Sequence, residues 1–102
     1  MATARDQTNG ASLLDARVRF PEHVVFRSFA RETVALNLET GLFHGLNVTA
    51  GRMVEVIQRC PRPRDAVRPL ATEFGVDGER IERDIESLLT MLLDRGLVDL
   101  EP

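Results

Sequence analysis

Apolar and polar residues alternate in the middle of the chain. Directly after this segment, apolar residues recur at the spacing of a helix. Val34, Leu36 and Leu38 alternate with small or polar residues, which is the period of a strand with one buried face. We therefore predict that these three side chains point into the core. Gly41 can adopt a positive φ in the turn that follows, and residues 42–46 are predicted to return as a second strand.

A further strand is predicted over residues 24–29, which are rich in β-branched and aromatic side chains. The two residues Ala30 and Arg31 are short enough to connect it by a hairpin to the next strand. The result is a three-stranded meander in which residues 42–46 lie at the edge. A free edge offers unpaired backbone groups that can bind an extended peptide.

Three helices are predicted from apolar residues that recur every three or four positions. The first begins near residues 47–49 and ends at Pro61, and the second covers residues 65–74. The third begins at Asp77 and ends at Gly96, and residues 97–100 could form a closing strand. This order predicts an α+β fold, with the three-stranded antiparallel sheet packed on a three-helix winged helix-turn-helix unit.

Length and local composition predict one domain. The chain has 102 residues, of which residues 1–12 read as a disordered tail and residues 13–102 as a single domain. The polar N-terminus has no signal-peptide pattern, and no run of about 20 apolar residues could span a bilayer. We therefore expect a cytoplasmic protein that does not contact a membrane.

Composition also argues against catalysis and metal binding. Cys60 is the only cysteine, and His23 and His44 are the only histidines. None of them has partners at the spacing of a metal site or a catalytic triad. The sequence therefore predicts neither an enzyme nor a bound cofactor or metal.

One stripe of the third helix is predicted to form a wall beside the edge strand. Arg80, Asp84, Ser87 and Met91 follow at intervals of three or four residues, next to the apolar face. Met91 suits an adaptable pocket, and Arg80 or the nearby Arg83 suits an acidic side chain of a peptide. The alternative for Met91 is a position in the core.

Two other functions remain open. A winged helix can bind DNA, but the formal net charge is −3, and acidic residues outnumber arginines on the third helix, which argues against nucleic acid. An edge strand can also pair with its own copy, which leaves a homodimeric interaction module as the second alternative.

The run from Leu36 to Ile57 resembles the PqqD-like family, whose members are also called recognition elements for ribosomally synthesised and post-translationally modified peptides. The matching features are Gly41, Phe43, the pair Leu46-Asn47 and the small residues at the start of the first helix. Residues 70–77 and 81–98 resemble the family's later helices. The resemblance covers roughly residues 24–100.

The resemblance implies a non-catalytic chaperone that holds the leader of a precursor peptide and presents it to a modifying enzyme. In this family the leader adds as a strand beside the third strand and packs on the third helix. By position, the peptide-binding residues implied here are Leu42, Phe43, His44, Gly45, Arg80, Arg83, Asp84, Ser87, Leu88 and Met91.

Overall fold

The computed structural model describes residues 12–101, so residues 1–11 of the predicted tail lie outside the described part. The strands are β1 Val18–Arg19, β2 Val24–Ser28, β3 Glu32–Asn37, β4 Phe43–Asn47 and β5 Asp99–Leu100. The helices are α1 Val48–Gln58, α2 Val67–Phe74 and α3 Gly78–Asp94. Strands β2, β3 and β4 form an antiparallel sheet in that order. The predicted α+β fold, a three-stranded sheet with three helices, is therefore confirmed.

Residues near the two ends of the described part of the chain pair in a separate small ladder. The closing strand predicted over residues 97–100 comprises only Asp99–Leu100, and it pairs with β1 rather than with the meander. Leu97 and Val98, just before it, are almost wholly buried. Their side chains enter the core, and the short pairing that follows holds the C-terminus against the start of the domain.

The prediction that Val34, Leu36 and Leu38 face the core is wrong. The core-facing residues of β3 are Thr33 and Ala35, which are 5% and 0% exposed, whereas Leu38 is 59% exposed. The sheet lies so close to α1 that only small side chains fit between them. A Cβ added at Gly51 of α1 would overlap the side chain of Thr33. The close approach of α1 therefore determines which face of β3 is buried, and the hydrophobicity of the side chains does not.

The long helix α3 supplies the largest share of the core. Its side chains Ile81, Ile85, Leu89 and Leu92 are each at most 1% exposed, at the spacing that the sequence predicted. They pack in one cluster with buried residues of α1, α2 and the sheet. Burying side chains of this size stabilises a domain by about 1.5–3 kcal/mol each, so α3 is anchored firmly enough to serve as a rigid wall.

The helix boundaries follow from their caps. Oδ1 of Asn47 accepts a hydrogen bond from the Ala50 N–H at 2.8 Å, and Oδ1 of Asp77 accepts one from the Arg80 N–H at 3.1 Å. These side chains fix the starts of α1 and α3 as predicted. The second helix is predicted from residue 65, but residues Pro63–Ala66 form a 3-10 turn and the α-helix α2 begins only at Val67. Pro69 is therefore the third residue of α2, where its missing N–H removes no hydrogen bond of that helix.

Candidate functional site

The outer edge of β4 carries backbone groups that point away from the sheet. The N–H of Asn37 donates to the carbonyl of Leu42 at 2.9 Å. Because hydrogen-bonded and non-bonded pairs alternate along an antiparallel ladder, His44 also bonds to β3, whereas Phe43 and Gly45 point outward. Within residues 12–101, no strand pairs with this edge. The N–H and C=O groups of Phe43 and Gly45 are therefore available to an added strand.

Two of the predicted edge residues have backbones that are already engaged. Leu42 lies in the turn before β4, and its N–H donates to Oγ1 of Thr40 at 3.1 Å. The backbone of His44 faces Ala35 of β3 in the register of the sheet. Either residue can offer only its side chain to a peptide, and Leu42 is 62% exposed. A proline at His44 would break the protein's own sheet, so substitutions that probe the edge belong at Phe43 or Gly45.

A groove runs between the start of α1 and the N-terminal half of α3, beginning at the end of β4. One cavity of about 250 Å³ is lined by Asn47, Thr49, Ala50, Met53, Asp84, Ser87 and Leu88. A second, of about 280 Å³, is lined by Thr49, Phe74, Val76, Arg80, Ile81 and Asp84. The two share Thr49 and Asp84, so we treat them as one α1–α3 groove. Its floor is apolar, since Leu88 and Met53 are buried.

The charged side chains of the α1–α3 groove are one carboxylate, Asp84, and one guanidinium, Arg80. Asp84 lines both cavities, and its Oδ2 lies 3.9 Å from Nε of Arg80. Both side chains are about half exposed or more, and an ion pair of this kind in solvent contributes little stability. Asp84 can therefore exchange Arg80 for a ligand group at small cost.

The opposite end of α3 returns to the start of β4. The guanidinium Nη1 of Arg95, just after α3, lies 3.3 Å from Nδ1 of His44. Arg95 was not among the predicted site residues, although it follows Met91 by four positions and so extends the same stripe by one turn.

The remaining predicted residues divide between two surfaces of α3. Ser87 and Met91 line a shallow depression of about 630 Å³ together with Arg95 and Leu13. Arg83 lines a third depression with Glu86, Ser87 and Thr90. The structure thus brings Arg80, Asp84, Ser87 and Leu88 together in the groove and places Met91 near Arg95. Arg83 lines neither of these surfaces, although its depression shares Ser87 and Thr90 with the one beside Arg95.

The described residues show little that suggests catalysis. Residues 12–101 contain no group of three or more His, Cys, Asp or Glu side chains that could hold a metal ion. Burial raises the pKa of the Cys60 thiol, which favours the neutral form rather than the nucleophilic thiolate. Across the same residues, no helix combines the length and apolar character needed to cross a bilayer.

Comparisons with known proteins agree with this architecture. The structure of TbiB1 in complex with the TbiA(beta) leader peptide is similar, with a TM-score of 0.71 and 28% identity, over 79% of this chain and 94% of that one. The structure of a lasso peptide synthetase B1 complexed with the leader peptide gives a TM-score of 0.73 and 27% identity, over 82% and 99% of the two chains.

Sequence comparison identifies the family. We found no curated protein whose sequence matches this chain. The family model described as coenzyme PQQ synthesis protein D (PqqD) matches residues 32–98, a segment that extends from the start of β3 through α3 to the residues before β5. It therefore includes both the β4 edge and the α1–α3 groove. The chain belongs to the PqqD family.

Proposed function

We propose that this protein is a non-catalytic chaperone that holds the leader of a ribosomally synthesised precursor peptide and presents it to a modifying enzyme. The leader adds as a strand along β4, and its side chains enter the α1–α3 groove. The observation that carries the proposal is the coincidence of two features, namely the outward backbone groups of Phe43 and Gly45 and the groove that begins where β4 ends.

Each feature supplies a different part of binding. Main-chain hydrogen bonds to Phe43 and Gly45 contribute roughly 0.5–1.5 kcal/mol each and depend little on the peptide sequence. The groove supplies selectivity, because its apolar floor at Leu88 and Met53 accepts an apolar side chain, while Asp84 and Arg80 offer one charge of each sign beside it. The two similar structures are both complexes with leader peptides, which supports a leader as the ligand.

The modifying enzyme is a separate partner in this proposal. One of the similar structures is named lasso peptide synthetase B1, a name that links that protein to the synthesis of a lasso peptide. We extend such a link to this chain, with the chaperone supplying leader binding and the partner supplying the chemistry.

The test is selection from a display library of random linear peptides of about 12 residues, which is more than twice the length of β4. We expect the wild-type protein to enrich a shared motif, and Gly45→Pro to bind the enriched peptides at least about tenfold more weakly in titration calorimetry. Proline removes the outward N–H at this position, and an edge strand tolerates it.

Gly45→Ala is the matched control, because it keeps the N–H. Its added Cβ would lie 3.3 Å from Oε1 of Glu32, the mobile end of a side chain, so affinity should stay within about twofold of wild type. Failure of the wild-type protein to enrich any motif would overturn the proposal. Equal affinity of Gly45→Pro and Gly45→Ala, with both folded, would rule out strand addition at β4.

A further inference from the structure

We propose that Arg95 selects leaders that carry an acidic side chain beside the first residues of β4. This inference rests on the proposed function and adds the chemical class of one leader residue to it. Its basis is the position of the guanidinium, which lies at the edge strand itself, 3.3 Å from the His44 ring. A carboxylate on a strand added along β4 would come within its reach.

The guanidinium of Arg95 has donors to spare. Arginine carries five N–H donors, and the partner found for Arg95 among residues 12–101 is a single imidazole nitrogen. Within the same residues, no carboxylate oxygen lies within 4.0 Å of it. No acidic residue in the described part of the chain therefore occupies the fork that can bind a carboxylate in two parallel hydrogen bonds.

His44 is the positioning residue for this fork. Nδ1 of its ring accepts the hydrogen bond in the tautomer that carries the proton on Nε2. The half-buried ring holds one side of a long, flexible side chain against β4. Holding the guanidinium in place before the peptide arrives reduces the entropy that binding would otherwise cost.

At the opposite end of the wall, the carboxylate of Asp84 already has the guanidinium of Arg80 as its partner. Asp84 stands near Asn47 at the end of β4, eleven residues before Arg95 and therefore about 16 Å away along α3. An acidic side chain at the Asp84 end would therefore meet one charge of each sign, whereas no carboxylate oxygen among residues 12–101 lies within 4.0 Å of Arg95. Asp94 lines the same depression as Arg95 but does not pair with it. About five extended residues span the distance between the two ends.

The test uses the same random peptide library, selected separately on wild type and on Arg95→Glu. Wild type should enrich Asp or Glu at one position of the motif, and Arg95→Glu should enrich Lys or Arg at that position. For single peptides, replacing the acidic residue by Gln should weaken binding to wild type about three- to tenfold and leave binding to Arg95→Gln within about twofold.

Arg68→Gln is the control, because Arg68 is an exposed arginine on α2 outside the groove. It should keep the wild-type motif, including the acidic position. A motif without an acidic preference, or one that Arg95→Glu leaves unchanged, would overturn the role of Arg95 and leave strand addition intact. If neither wild type nor any variant enriches a motif, the proposed function itself is overturned. The two failures are therefore distinguishable.

Discussion

The meander has two outer strands, β2 and β4, and they differ in what lies beside them. Both offer outward backbone groups, at Phe43 and Gly45 on β4 and, by the same alternation, at Val24, Phe26 and Ser28 on β2. The protein's own residues engage much of the β2 edge and leave the β4 edge open within the described part of the chain. An exposed edge alone therefore does not make a peptide site.

The entry to β2 is occupied by the segment that precedes it. The N–H of Val24 donates to the carbonyl of Pro21 at 3.0 Å. The ring of Phe20 packs edge-on against Phe26, with centroids 5.8 Å apart. An added strand would have to displace both contacts, so the first half of this edge is closed.

The far end of β2 is flanked by charges that are already paired. Oγ of Ser28 donates to Glu55 at 3.2 Å, and Arg52 bonds to both Glu55 and Glu73. The cavity there is only about 150 Å³. At β4, by contrast, Asp84 and Arg95 keep hydrogen-bonding capacity for a ligand. The two edges therefore differ in their neighbouring side chains. Those beside β2 already bond to one another, whereas those beside β4 can still bond to a ligand.

The largest effect on stability should come from disrupting the close contact between the sheet and α1. Both edge strands depend on this contact. Gly51→Ala should lower the free energy of unfolding by about 1–3 kcal/mol in urea denaturation, because the new methyl group overlaps Thr33. The sign is diagnostic, since Gly→Ala within a helix normally stabilises by up to about 1 kcal/mol. Gly45→Ala is the control and should change the unfolding free energy by less than about 0.5 kcal/mol. A more stable Gly51→Ala would show that sheet and helix are not packed this tightly.

The next effect contrasts proline on the two edges. Gly45→Pro should weaken peptide binding at least about tenfold, whereas Ser28→Pro on β2 should change affinity by less than about twofold. Both substitutions remove one outward N–H, so the difference isolates the edge that binds. Titration calorimetry with a library-selected peptide measures it. Equal losses in the two variants would mean that the peptide does not discriminate between the edges.

The sequence predicted the order of elements, and it placed several candidate site residues on one helix face, because both depend on local patterns. Strand alternation, the caps Asn47 and Asp77, and the turn at Gly41, with φ of 75°, are all visible in single segments. The stripe from Arg80 to Met91 likewise follows from helical spacing alone. Residues of this kind can be assigned before any tertiary contact is known.

The errors arose where a tertiary contact decides the outcome. The buried face of β3 depends on how closely Gly51 lets α1 approach, and alternation alone favoured the larger side chains on the other face. The directions in which the Phe43 and His44 backbone groups point depend on the register between β4 and β3. The sequence placed the start of β4 at residue 42, one residue too early, and so did not show this register. Arg95 extends a visible stripe, but only its contact with His44 places it at the edge strand.

The smallest effect concerns the charge network that flanks β2. The hydrogen bonds from Arg52 hold the pKa of Glu55 and of Glu73 below the ordinary value of 4.5. Carboxyl groups with a lowered folded-state pKa stabilise the fold above their unfolded value, and this contribution is lost as the pH falls through the folded value. Arg52→Gln should therefore lower the melting temperature slightly at neutral pH, and the gap to wild type should narrow as the pH falls below 4.5.

Thermal melts of wild type, Arg52→Gln and the exposed control Arg68→Gln at several pH values measure this gap. The control should run parallel to wild type throughout, because no carboxylate partner is found for Arg68 among the described residues. A gap for Arg52→Gln that is independent of pH would mean that the two glutamates do not sense the guanidinium. Peptide affinity at neutral pH should be the same in all three proteins, since the network lies beside β2 and the proposed leader lies along β4.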